Sequence, residues 1–199
     1  MLSVAEYLEM EAQSPVRHEY VHGKVFALAG GTVRHNVITG NIFANLKSAE
    51  RASGCRTFVT DVKVRAAADI FYYPDVAVEC VPRDDASVFI DQPCLIVEVS
   101  SRGTRRTDHG EKLDNYRGIP SVLACVLVEQ SRRCVLHHFR GHNGEWHREE
   151  VVGSGSLSLR CPVTTLTLDQ IYEGVALSPL GVAENEPLDN EYEAGELRE

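Results

Sequence analysis

Two carboxylates stand where the surrounding sequence is apolar. Asp75 lies in YYPDVAVEC, and Glu98 continues CLIVEVSS, where Leu95, Ile96 and Val97 read as a strand buried on both faces. A buried carboxylate without a partner is strongly disfavoured or gives up its charge. If the two strands are neighbours, side chains opposite one another lie about 5 Å apart, so Asp75 and Glu98 can meet. At that separation they repel unless a proton or a cation lies between them. A magnesium or manganese ion, which takes carboxylate, carbonyl and water oxygens, would relieve both the repulsion and the burial. The simpler alternative is an arginine partner for Glu98, for which Arg65, Arg102, Arg105 and Arg106 are available. Spacing alone leaves both open.

These residues need elements to hold them. Ser3 with Glu6 forms a capping box, and Val4, Tyr7, Leu8 and Glu11 continue a helix to about Gln13. HEYVHGKVFALAG predicts two strands turning at His22-Gly23, the second ended by Gly30-Gly31. From about Arg34 to Ala52, Val37, Ile38, Ile42, Phe43 and Leu46 fall three and four apart on one face of a long helix, which Gly54 stops. CRTFVTDVKVRA alternates, with Val62 and Val64 on one face and Asp61, Lys63 and Arg65 on the other. Tyr72 to Cys80 and Cys94 to Ser100 predict two more strands. On the first of them Asp75, Ala77 and Glu79 share a face. TDHGEKLDNYRGIP predicts a helix ended by Gly118 and Pro120, with Asp108, Lys112 and Tyr116 along one face. Leu123 to Glu129 is a further buried strand. CVLHHFR, GEWHREEVV and SLSLR read as short hairpin strands before a small helix at LDQIYEGV. This order implies an α/β sandwich with a central mixed sheet, helices on both faces, and hairpins added at the N- and C-terminal edges.

With 43% hydrophobic residues, the 199-residue chain can bury a core, and residues 1–177 are expected to form one domain. Residues 178–199 are different. Glu184, Glu186, Asp189, Glu191, Glu193, Glu196 and Glu199 face Arg198 alone, so most of the net charge of −9 lies in this tail, which is expected to be disordered. The body is only mildly acidic, compatible with a basic cleft but giving no positive support for one. No apolar run reaches the ~20 residues of a membrane helix, and MLSVAEYLEM lacks the pattern of a signal peptide. A cytoplasmic protein without a membrane partner is expected. The six cysteines contain no C-x-x-C pair and sit mostly in apolar runs, so they read as buried reduced thiols.

Pro74-Asp75, then Glu98 after an apolar strand, then a helix carrying a lysine resembles the PD-(D/E)XK nuclease superfamily. More closely, the chain from Leu2 to Val175 resembles the Uma2 family of restriction-endonuclease-like proteins. The matching pieces are EYLEMEAQSPVRHEYVHGKVFALAGG, HNVITGNIFANL, SGCRTFVTDVKVR, YYPDVAVEC, PCLIVEVSS, TRRTDHGEKLDNYRGIPSV, CVLVEQ and LTLDQIYEGV. Each is weak alone, and together they are specific.

The resemblance implies a restriction-endonuclease-like fold and a metal-dependent phosphodiesterase acting on nucleic acid, with DNA the expected partner. It assigns Asp75 and Glu98 as ligands of a magnesium ion, for which manganese could substitute, with the Val99 carbonyl as a third ligand. The superfamily places a lysine two residues after the second acid, but that position here is Ser100. The resemblance places the family's lysine on the following helix, which makes Lys112 the candidate and Lys63 the alternative; an ordinary i, i+4 salt bridge with Asp108 is the plain alternative for Lys112. Glu19, in the RHEY segment, corresponds to a further family carboxylate; pairing with Arg17 or Lys24 is its plain alternative. His35 and Asp61 also match family positions. His35 could touch a phosphate or cap the long helix, and Asp61 could simply pair with Arg65 or Lys63. The loop departs from the family, since Ser101-Arg102-Gly103-Thr104 stands where Ser-Pro-Ser-Thr is usual. Arg102, Arg105 and Arg106 then make a positive cluster that could grip a phosphate or merely solvate a loop. A homodimer is expected of a small nuclease that cuts both strands.

Two rivals belong to other classes. Cys134, His137, His138, His142 and His147 crowd one region, but they fit no zinc-ligand spacing, and His137 and His138 must point to opposite faces of a strand. A non-catalytic nucleic-acid-binding or assembly module on the same fold is the stronger rival, favoured by Ser100 and by the acidic charge.

Overall fold

The computed structural model describes residues 1–82, 84–100 and 108–177. Arg102, Arg105 and Arg106 and the acidic tail lie outside the described residues. In chain order the elements are α1 (Val4–Gln13), β1 (His18–Val21), β2 (Lys24–Ala27), α2 (Val33–Glu50), β3 (Arg56–Val59), β4 (Lys63–Ala67), β5 (Ile70–Tyr72), β6 (Val76–Glu79), β7 (Phe89–Ile90) and β8 (Pro93–Ser100). A π-helical turn at Asp108–Lys112 leads into α3 (Leu113–Gly118). Then follow β9 (Ala124–Glu129), β10 (Cys134–Arg140), β11 (Trp146–Val152), β12 (Ser156–Arg160), β13 (Val163–Thr167) and α4 (Leu168–Ile171).

All eight residues of β8 are buried, as its apolar sequence requires of a central strand. It pairs antiparallel with β6, Val76 opposite Val97, and parallel with β9, Glu98 opposite Leu127. The mixed sheet runs β11-β10-β9-β8-β6-β3. Alternation along β8 divides two cores. Leu95, Val97 and Val99 join Ile38, Ile42 and Leu46 of α2, together with Leu157 and Leu166 of the β12–β13 hairpin. Ile96 points the other way, into a cluster with Val64, Tyr72, Leu113 and Tyr116. That second face is covered by α3 and by a five-stranded sheet, β2-β1-β5-β4-β7. Period two puts Glu98 on the Ile96 side, beneath α3. Tyr7, Tyr20 and Phe71 form a third cluster that fixes α1 on the smaller sheet.

The capping box at Ser3 and Glu6, the turn at His22-Gly23 and the long second helix stand as the sequence predicts. Two long strands do not. Residues 55 to 66 break at Thr60 and Asp61, which take φ values of +42° and +45°, so β3 and β4 enter different sheets. The stretch from Tyr72 to Cys80 breaks at Tyr73-Pro74-Asp75, because proline cannot donate to a ladder. Alternation is the same on either side of each break, so the pattern conceals it. Within β4, Lys63 is buried while Arg65, two residues on, is exposed.

The cysteines also depart from expectation. Disulfides join Cys55 to Cys80 and Cys94 to Cys161, while Cys125 and Cys134 are buried thiols. Partners separated by 25 and 67 residues meet because the exit of α2, the end of β6, the start of β8 and the β12–β13 turn share one end of the sandwich. The histidine-rich hairpin is bound differently from a zinc site: His137 Nδ1 lies 2.7 Å from Glu149.

Leu95 is fully buried, whereas Val163 is 83% exposed. Leu95→Ala is expected to destabilise the fold by about 2–5 kcal/mol, and Val163→Ala by less than about 0.5 kcal/mol. Urea denaturation checks both. Equal midpoints for the two variants would show that β8 is not the packed centre of the sheet.

Candidate active site

Glu98 is 4% exposed, and its carboxylate is met from the crossover. The Tyr116 hydroxyl donates to Oε1 at 2.7 Å, and the Lys112 ammonium lies 3.7 Å from the same oxygen. Both come from the crossover joining the parallel strands β8 and β9. Lys112 closes the π-helical turn and Tyr116 lies one turn further along, so their spacing of four keeps them over the strand end. Lys112 reaches β1, where Glu19 Oε1 is 2.7 Å from its ammonium. Glu19 is itself buried and accepts from the Tyr73 backbone N–H at 3.2 Å. The Tyr72 ring lies 5.5 Å beneath the ammonium, within cation–π range.

Asp75 occupies the corner between β5 and β6. Its Oδ2 accepts from the Val99 backbone N–H at 2.7 Å, which holds the carboxylate against the peptide after Glu98. Its Oδ1 lies 3.1 Å from His35 Nε2. His35 is placed by the start of α2, where the Thr32 side chain caps its backbone N–H at 3.1 Å. Thr32 also donates to Gln130 at 2.9 Å, tying this helix start to the chain leaving β9.

Thus Asp75, Glu98, Lys112, Glu19, His35 and the Val99 backbone converge on one end of the central sheet. Glu19 contacts Lys112, not the surface partners Arg17 or Lys24, and His35 combines its capped helix position with contact to an acid. The other candidates lie elsewhere. Asp61 is exposed and pairs with Arg17 at 3.4 Å, in place of Arg65 or Lys63. Arg65 pairs with Asp91 at 2.7 Å, so it is not the partner of Glu98. Lys63 donates to the Tyr73 hydroxyl at 3.2 Å, and that hydroxyl donates to Glu11 at 2.8 Å, in a separate buried network. Burial lowers the Lys63 pKa.

Tyr116 and Gln130 were not singled out as site residues from sequence. Tyr116 had a signal, its four-residue spacing from Lys112. Gln130 had none, since its contact with Thr32 exists only once β9 and α2 are packed.

Residues 4–170 match the model of the family Uma2, described as "Putative restriction endonuclease". An uncharacterized protein of Synechocystis sp. is 32% identical over 177 residues, covering 88% of this chain and 93% of its own. A second uncharacterized Synechocystis protein is 29% identical over 160 residues, covering 78% and 90%. Among solved structures, a crystal structure described as that of a "putative nuclease" from Anabaena variabilis matches with a TM-score of 0.73 at 15% identity, over 86% of this chain and 98% of that one. At that identity the likeness establishes the fold, which is restriction-endonuclease-like.

Lys112 is 5% exposed, and its removal would leave buried carboxylates without their ammonium. Lys112→Met is expected to cost about 3–5 kcal/mol, and Glu19→Gln added to it should cost much less than Glu19→Gln alone. A double-mutant cycle by chemical denaturation measures the coupling. Strict additivity would show that the Lys112–Glu19 contact contributes nothing.

Proposed function

The chain belongs to the Uma2 family, and we propose that it is a metal-dependent endonuclease that hydrolyses phosphodiester bonds in nucleic acid, with DNA as substrate. What carries this function is the convergence of Asp75, Glu98 and Glu19 with the Lys112 ammonium at one strand end, from four separate segments of the chain. Carboxylate oxygens with an adjacent backbone carbonyl are the donor set that magnesium or manganese takes, so the residues fit such an ion. Asp75, Glu98 and the Val99 carbonyl would hold it, with Glu19 through water, and when bound it supplies an activated water and polarises the scissile phosphate.

The chain's own groups do the rest. Tyr116 orients Glu98, and the Val99 N–H orients Asp75, so neither acid must be ordered when substrate arrives. His35 meets the Oδ1 oxygen of Asp75. Lys112, held by Glu19, stabilises negative charge growing on the phosphoryl oxygens. It thereby takes the role of the lysine absent from position 100, where the buried Ser100 stands. Arg102, Arg105 and Arg106 would grip flanking phosphates. Cutting both strands of a duplex calls for two such sites, which a homodimer would provide. No described helix is long and apolar enough to cross a membrane.

Calorimetric titration with manganese, followed by cleavage of supercoiled plasmid in magnesium, tests this function. Wild type is expected to bind the ion and nick the plasmid, while Asp75→Asn and Glu98→Gln abolish binding and lower the cleavage rate by at least about 10²–10³-fold. If wild type binds no more metal than the variants do, the acids are structural and the non-catalytic module is the better account.

A further inference from the structure

The opposite end of the sandwich gathers sulfur. Two disulfides need not touch, yet Cys80 Sγ lies 3.0 Å from Cys161 Sγ and 3.5 Å from Cys94 Sγ. The sulfurs of Cys55, Cys80 and Cys161 all fall within 4.8 Å of one another. The two bonded pairs therefore form a single four-sulfur cluster. Each sulfur comes from a different place: the turn after α2, the end of β6, the start of β8, and the turn between β12 and β13. Cys55, Cys94 and Cys161 are buried, whereas Cys80 is exposed and gives the cluster an opening to solvent.

Four thiolates around a zinc ion at about 2.3 Å form a tetrahedron with edges of about 3.8 Å. The contacts between the two pairs already approach that edge, and opening each S–S bond would move its two sulfurs apart towards it. A soft all-sulfur set selects zinc over the hard cations suited to the acid site. We propose that Cys55, Cys80, Cys94 and Cys161, when reduced, hold a zinc ion as a tetrathiolate site, and that the two disulfides are its oxidised, metal-free form. Reduction of each disulfide by a dithiol yields two thiols and the reductant's own disulfide. Zinc then displaces the four thiol protons to solvent. Cys94 and Glu98 are separated by roughly 13 Å of β8, so this ion would take no part in hydrolysis. It would clamp β6 and β8, which position Asp75 and Glu98, to the end of α2 and the β12–β13 hairpin.

The test uses the full chain, reduced with dithiothreitol, freed of reductant under anaerobic conditions and titrated with cobalt(II). One cobalt per chain is expected, with the intense sulfur-to-cobalt charge-transfer and visible bands of tetrahedral tetrathiolate coordination, lost when one equivalent of zinc is added. Cys80→Ser, at an exposed position, should lose these bands, while Cys125→Ser and Glu98→Gln should keep them. The last variant separates this site from the acid site, so either proposal can fail without the other. Cobalt bound without the charge-transfer band, no cobalt bound by the reduced wild type, or an unchanged spectrum in Cys80→Ser would each overturn the zinc site and leave two structural disulfides.

Discussion

Burial of the Glu98 carboxylate organises this molecule. A charge at the end of a fully buried strand must be met by a hydrogen-bond donor and an opposite charge, and neither can come from the apolar strands beside it. Parallel pairing of β8 with β9 forces the chain to cross over one face of the sheet. That crossover carries Tyr116 and Lys112 to the carboxylate. The ammonium then draws in Glu19 from the smaller sheet, so a single buried acid links the central sheet, the crossover and the N-terminal strands.

The second constraint is the corner at Pro74. A continuous strand through Tyr73 and Asp75 would have kept β5 and β6 in one sheet. The break instead sends Tyr72 under Lys112 in one layer and lets Asp75 turn its carboxylate onto the Val99 N–H in the other. The break at Thr60 and Asp61 does the same for β3 and β4. Both lie near the acid end of the sandwich, where two sheets must part for a cluster of polar groups to fit between them.

The two ends of β8 are chemically opposite. One gathers hard oxygen donors and an ammonium, the other four sulfurs, and the packed residues Leu95, Ile96 and Val97 separate them. Holding the sulfur end fixes the register of β6 on β8, and that register decides whether Asp75 faces the peptide after Glu98. The acid end and the sulfur end are thus joined through ordinary strand pairing.

Much of this was legible in the chain itself. Local rules determined the capping box, the His22-Gly23 turn, the long amphipathic helix and the buried strand bearing Glu98, because each depends on residues a few positions apart. The quoted motifs pointed to Asp75, Glu98, Lys112 and Glu19 as candidates. Tertiary structure decided what local pattern could not. Strand alternation does not mark a change of sheet, so the breaks at residues 60 and 73 were hidden. Charge pairing depends on which elements meet, so the contacts of Lys112 with Glu19 and of Asp61 with Arg17 appear only in the folded chain. Cysteine chemistry depends on distances between remote segments, and nothing in the spacing of Cys55, Cys80, Cys94 and Cys161 announced that four strand and helix ends would bring them to one point.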